Sequence, residues 1–187
     1  ISVIQEFFDL DLAKDLAKKK NKADLIIANN VLAHVPDINN FVKGISLLLK
    51  PNGIATFEFQ HLLELIKNNQ YDTIYHEHYS YLSLLSVNNV FKNNGLNIFD
   101  VQKVNTHGGS LRVFAQKKTS KKHKVSRNFY LLDKVEKRNK LNSIKTYKNF
   151  QKIAKKNKND LVKFLLDCKK KIFQLQHMEL QQKEIHF

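Results

Sequence analysis

The stretch ADLIIANNVLAHVPDINNFVKGISLLLKPNGIATFEF, residues 23–59, decides the fold. It opens on a continuous apolar run, Leu25 to Ala28, which predicts a strand buried on both faces, as strands of a parallel sheet are. Pro36 and Asp37 form a helix-start pair. Behind them Ile38, Phe41, Val42, Ile45, Leu48 and Leu49 recur at helical spacing, so 36–50 reads as a helix. Pro51-Asn52-Gly53 predicts a turn, and IATFEF (54–59) the next strand.

Working outward, SVIQEFFD (2–9) predicts a strand ending on an acid, and LAKDLAKKKN (12–21) a helix with Leu12 and Leu16 on one face. Strand, helix, strand, helix, strand in this rhythm implies an α/β fold with right-handed βαβ units and a parallel sheet. LLSVNNVFKNNGL (84–96) is a further helix closed by Gly95. NIFDVQKV (97–104) and GSLRVFAQK (109–117) are two late strands with NTHGG between them. Beyond these strands the chain is helical and amphipathic, and lysines cluster at the boundary near 117–125.

The 187 residues suffice for one domain, or one and part of another. The single cysteine, Cys168, excludes a disulfide framework and a cysteine-based zinc site within the chain, and fits a reducing, cytoplasmic setting. No apolar run approaches a membrane span, so no membrane partner is expected. The formal charge of +15 invites a nucleic-acid reading. Against it, the basic residues sit in runs such as KKTSKKHKVSR (117–127), away from the aromatic ones, and read as a solvated surface.

A second stretch, YDTIYHEHYSYLSL (71–84), packs Tyr75, His76, Glu77, His78 and Tyr79 side by side. It reads as a metal site, a general base or an aromatic strand. A metal site needs a third ligand and outer partners beyond the histidine pair. In a strand, Tyr75 and His78 would point to opposite faces. If both face one ligand, the segment is a loop or a turn of helix, where a separation of three residues shares a face.

ANNVLAHVPDI, LLLKPNG before a strand, TFEF, DTIYHEHYSYLSL and THGGSLRVFA together resemble the sugar C-methyltransferases, class I S-adenosylmethionine-dependent enzymes acting on nucleotide-linked 4-keto-6-deoxy sugars. The resemblance runs from about residue 1 to 172. It implies a partial Rossmann-like methyltransferase sheet, later strands only, over 1–118. The helical start of a carboxyl-terminal domain would then span 119–172. The family's amino-terminal zinc-binding domain, with its clustered cysteines, has no counterpart here, so zinc is expected only in that missing part. The Gly-rich loop after a first strand and the acidic end of a second are also absent. The chain thus reads as a fragment that binds S-adenosylmethionine weakly or not at all and is inactive on its own, with a methyltransferase of another small-molecule acceptor as the alternative.

The resemblance also implies roles. His78 would be the base that removes a proton beside a ketone, Tyr75 the donor to the enolate oxygen, and Glu77 an orienting or hydroxyl-binding group. His34, at the carboxyl end of the buried strand, would belong to the substrate pocket; taken alone, it reads more readily as a structural histidine. Phe7 or Phe8 would border the adenine or belong to the core. Ala28, Asn29 and Asn30 would meet the cofactor, or the asparagines simply close a strand end. His107, Ser110 and Arg112 would bind substrate, with Arg112 on a diphosphate or solvated at a sheet edge. Tyr79 and Tyr81 read as packing.

The tail IFQLQHMELQQKEIHF (172–187) lacks strand alternation and glycine. Codons chosen for HMELQQKEIH, read one frame over, spell Tyr-Gly-Ala-Thr-Ala-Lys-Gly-Asn-Thr, the family's continuation. A frameshift between about Ile172 and Gln176 is therefore expected, with 173–187 outside the fold.

Overall fold

The alternation in IATFEF sends Ala55, Phe57 and Phe59 to one side of a strand and Ile54, Thr56 and Glu58 to the other. That one strand organises the molecule. In the computed structural model, which describes residues 3–19 and 22–170, it is β2 (Leu49–Gln60). Before it come α1 (Leu10–Lys19), β1 (Ala23–Asn29) and α2 (Ile38–Leu48). After it come α3 (Leu62–Lys67), α4 (Leu84–Asn93), β3 (Leu96–Val104), β4 (Ser110–Lys117), α5 (Arg127–Arg138) and α6 (Ile144–Lys170). The four strands form one mixed sheet in the order β1-β2-β4-β3. Only β1 and β2 are parallel, joined through α2; β4 runs antiparallel to both neighbours.

Asp37 caps α2, accepting from the Asn40 N–H at 3.0 Å, so one of the amides a helix start leaves open is satisfied. Phe41, Val42 and Ile45 of α2 and Val87 and Phe91 of α4 bury against Ala55, Phe57 and Phe59, and Leu132 of α5 joins the same core. Phe57 and Phe91 lie with ring centroids 4.6 Å apart. Ser83 caps α4 in a reciprocal box with Ser86. Gly95 comes next at φ +85°, the left-handed conformation that ends a helix at low cost only for glycine.

Three expectations fail here. Residues 3–9 form no strand: β1 pairs only with β2, and no other described strand lies beside VIQEFFD. The run Leu25–Ala28 is not buried on both faces. Ala28 is buried, but Leu25 and Ile27 are 55% and 63% exposed, because among the described residues no helix covers their side of the sheet. Pro51-Asn52-Gly53 does not leave the strand. It is absorbed as a bulge within β2, whose pairing with β1 jumps from Ala23↔Leu49 to Leu25↔Ile54.

The chain divides into two units, residues 1–150 and 151–187. In the second, the part of α6 from Gln151 is basic and amphipathic, with Leu161, Phe164 and Leu166 exposed. The frameshift expected between Ile172 and Gln176, and the tail to Phe187, lie outside the described residues. Among the described residues no helix is long and apolar enough to cross a membrane.

Candidate active site

Strands β1 and β2 end at the same edge of the sheet, the edge where ligands bind in open α/β folds. The chain leaves β1 at Asn30, held at φ +53° with its N–H on the Glu58 carbonyl at 2.7 Å. It then makes a 3-10 turn, Leu32–His34, which sets His34 above the edge. From the end of β2 a long excursion carries α3, a 3-10 turn at Tyr71–Thr73 and the segment Ile74–Tyr81 before α4 begins. The tight connection from β3 to β4 brings up His107. Between these three pieces lies a cleft of about 260 Å³, with Asn30, His34, Gln60, Tyr75, His78 and His107 among its walls.

The YHEH segment is a loop, as a shared face for Tyr75 and His78 requires. A turn closes with the His78 N–H on the Tyr75 carbonyl at 3.2 Å. The Tyr75 hydroxyl lies 3.3 Å from His78 Nε2, and the two rings lie 4.3 Å apart. His78 Nδ1 lies 3.0 Å from the Thr73 carbonyl. A carbonyl only accepts, so Nδ1 carries the hydrogen, and in the neutral ring Nε2 presents a lone pair. His34 is held in the same way: its Nδ1 donates to the Glu77 carbonyl at 3.0 Å. The two imidazoles stand 4.8 Å apart. Tyr79 and Ser80 donate their N–H groups to the Ala33 carbonyl, tying the loop to the His34 turn. Both anchors are backbone groups, a device that leaves no mark in residue type.

Other candidates are placed elsewhere. The Glu77 residue is exposed and meets the site through its carbonyl, not its carboxylate. Ser110 is buried and donates to the Thr106 carbonyl, away from the cleft. Arg112 is not at a sheet edge, since β4 is an inner strand. Its guanidinium meets Glu58 Oε2 through Nη2 at 2.7 Å and through Nε at 3.1 Å, and Thr106 fills Oε1. Phe8 packs edge-on against Phe41 at 5.4 Å and belongs to the core, while Phe7 is 99% exposed. The Ala28 side chain is buried, and Asn29 is exposed at the end of β1. Asn29 and Asn30 stand at the open edge of the sheet, whereas Phe8 packs against the core. Sequence reasoning missed Gln60, whose amide bridges to the His107 carbonyl at 3.3 Å, and Thr73. Tyr81, read as packing, stands in the cleft wall edge-on to His78. Among the described residues no three His, Cys, Asp or Glu side chains converge as a metal site would need.

Residues 2–101 match the methyltransferase domain family, and residues 105–175 match the C-methyltransferase C-terminal domain. The C-methyltransferase NovU of Streptomyces niveus is 41% identical over 115 residues, which is 62% of this chain and 27% of that protein. The chain thus spans about a quarter of the length of this relative. Similar solved structures include magnesium protoporphyrin IX methyltransferase of Synechocystis PCC 6803, at 18% identity and a TM-score of 0.41 over 55% of this chain and 48% of that one. An S-adenosylmethionine-dependent methyltransferase of Clostridium acetobutylicum ATCC 824 stands at 16% and 0.41, over 52% and 59%. The chain belongs to the methyltransferase domain family, in the form that runs on into a C-methyltransferase C-terminal domain, as its motifs led us to expect.

Proposed function

We propose that the cleft is the acceptor half of a C-methyltransferase site that abstracts a proton beside a ketone. The acceptor would be a nucleotide-linked 4-keto-6-deoxy sugar. One observation carries this reading: His78 Nε2 presents a lone pair 3.3 Å from the Tyr75 hydroxyl, with Nδ1 fixed on the Thr73 carbonyl. A base and a hydrogen-bond donor three residues apart on one turn suit a carbon acid and the carbonyl oxygen next to it. His78 Nε2 takes the proton from the carbon. The Tyr75 hydroxyl turns from Nε2 to the ketone oxygen and steadies the charge that forms there. His34, with Nδ1 likewise occupied, offers Nε2 as an acceptor for a sugar hydroxyl. S-adenosylmethionine, bound at the Asn29–Asn30 edge, would supply the methyl group to the carbanion. The single cysteine supports a reducing, cytoplasmic setting.

Proton abstraction can be tested without the methyl donor. The chain, incubated in D₂O with a nucleoside-diphospho-4-keto-6-deoxy sugar, is expected to exchange the hydrogen beside the ketone faster than buffer does, read by NMR. Exchange no faster than buffer, with the sugar seen to bind, would rule out the base. Failure to bind would rule out the substrate class.

A further inference from the structure

The excursion that carries Tyr75 and His78 has a neck. His61, at its start, and Leu82, near its end, form a parallel β-bridge, and the Leu62 N–H donates to the Leu82 carbonyl at 2.8 Å. At this neck lies a polar group the cleft does not use. Glu136, from α5, is 2% exposed and His61 is wholly buried. Glu136 Oε1 accepts from His61 Nε2 and from the Leu84 N–H, both at 2.7 Å, and Oε2 accepts from the Leu85 N–H at 2.8 Å. One carboxylate thus grips both ends of the excursion: the residue that opens it and the first turn of the helix that closes it.

Two facts argue that the grip serves geometry. A buried polar cluster is weak evidence for stability, because apolar side chains of similar volume often do as well. What such a cluster can fix is a single arrangement of the groups it bonds. Glu136 Oε1 and Oε2 have three donors to meet, and His61 Nδ1 has no partner among the described residues, so these hold the ring from one side only. Glu136 also lies in the stretch matching the C-methyltransferase C-terminal domain, whereas His61, Leu84 and Leu85 lie in the methyltransferase domain match.

We propose that Glu136 and His61 are positioning residues: a clasp by which the C-terminal segment holds Tyr75 and His78 in register at the cleft. Neither touches the cleft; they act through the excursion. The proposal rests on the function proposed above for its purpose, but not for its test.

The test compares Glu136→Ala and Glu136→Gln with Leu132→Ala, which removes a core side chain from the same helix. His78 ring protons lie under the shielding of Tyr75, so their NMR shifts report the pair directly. Glu136→Ala is expected to move them to free-imidazole positions and to speed amide exchange at Tyr79 and Ser80 at least about tenfold, with β4 amides unchanged. Glu136→Gln, which keeps one accepting oxygen, is expected to fall between. Leu132→Ala is expected to lower stability without moving the His78 signals. The clasp is overturned if Glu136→Ala moves those signals no more than Leu132→Ala does, or if protection falls evenly across the loop and β4. Should the alanine variant fail to fold, the glutamine variant and His61→Phe decide by the same signals. In the ketone-exchange assay the clasp variants are expected to lose kcat with KM kept. Absence of that activity in the unaltered chain would count against the functional reading alone.

Discussion

His78→Asn is expected to lower ketone-adjacent proton exchange by about 10²–10⁴-fold, the usual contribution of a positioned base. The substitution isolates the base from its setting. Asparagine can still donate from its amide to the Thr73 carbonyl, the contact that His78 Nδ1 makes at 3.0 Å, so the loop keeps its anchor. It has no lone pair that takes a proton near neutral pH. Binding of the keto sugar should therefore survive while exchange is lost. Tyr75→Phe is the companion: it leaves the base and removes the donor, so its loss should be smaller and again in rate. Full exchange in His78→Asn would remove His78 from the chemistry and leave its place beside Tyr75 as packing.

Phe57→Ala is expected to cost about 3–5 kcal/mol, the range for truncating a buried aromatic residue. The ring is wholly buried, stands 4.6 Å from Phe91, and belongs to the strand that both neighbours pair with. A loss of this size is a large share of the stability of a small domain. Urea unfolding should show a lowered midpoint with a similar slope. A change below about 1 kcal/mol would mean that the α4–β2 contact is not central to the core.

The sequence discloses those features that leave a local trace. The helical spacing of Phe41, Val42 and Ile45, the cap at Asp37 and the alternation around Phe57 are short-range patterns, and the structure obeys them. The shared face of Tyr75 and His78 was legible as a choice between strand and loop, because three residues fit only one of them. Leu25 and Ile27 misled, since an apolar run reports what a strand can bury and not what lies over it. Arg112 and Glu58 pair across 54 residues, and His61 and Glu136 across 75; no periodicity marks such partners. The anchors of His34 and His78 are carbonyl groups, which every residue has.

The strand order also sets a sequence of events. β4 is the last of the described strands but lies between β2 and β3. Hairpin β3–β4 closes over a few residues, from Val104 to Ser110, and β1 meets β2 across one helix. The β2–β4 seam instead joins Gln60 to Ser110, fifty positions apart (110 − 60). The local halves are expected to form first, because the distant seam carries the larger entropic cost of closure. Pulse-labelled amides along the seam should gain protection after those of the hairpin. Gln60 and His107, whose contact closes the cleft floor, stand at the end of that seam. The pocket thus exists only once the seam has formed, and a chain halted before that has two halves and no place for a substrate.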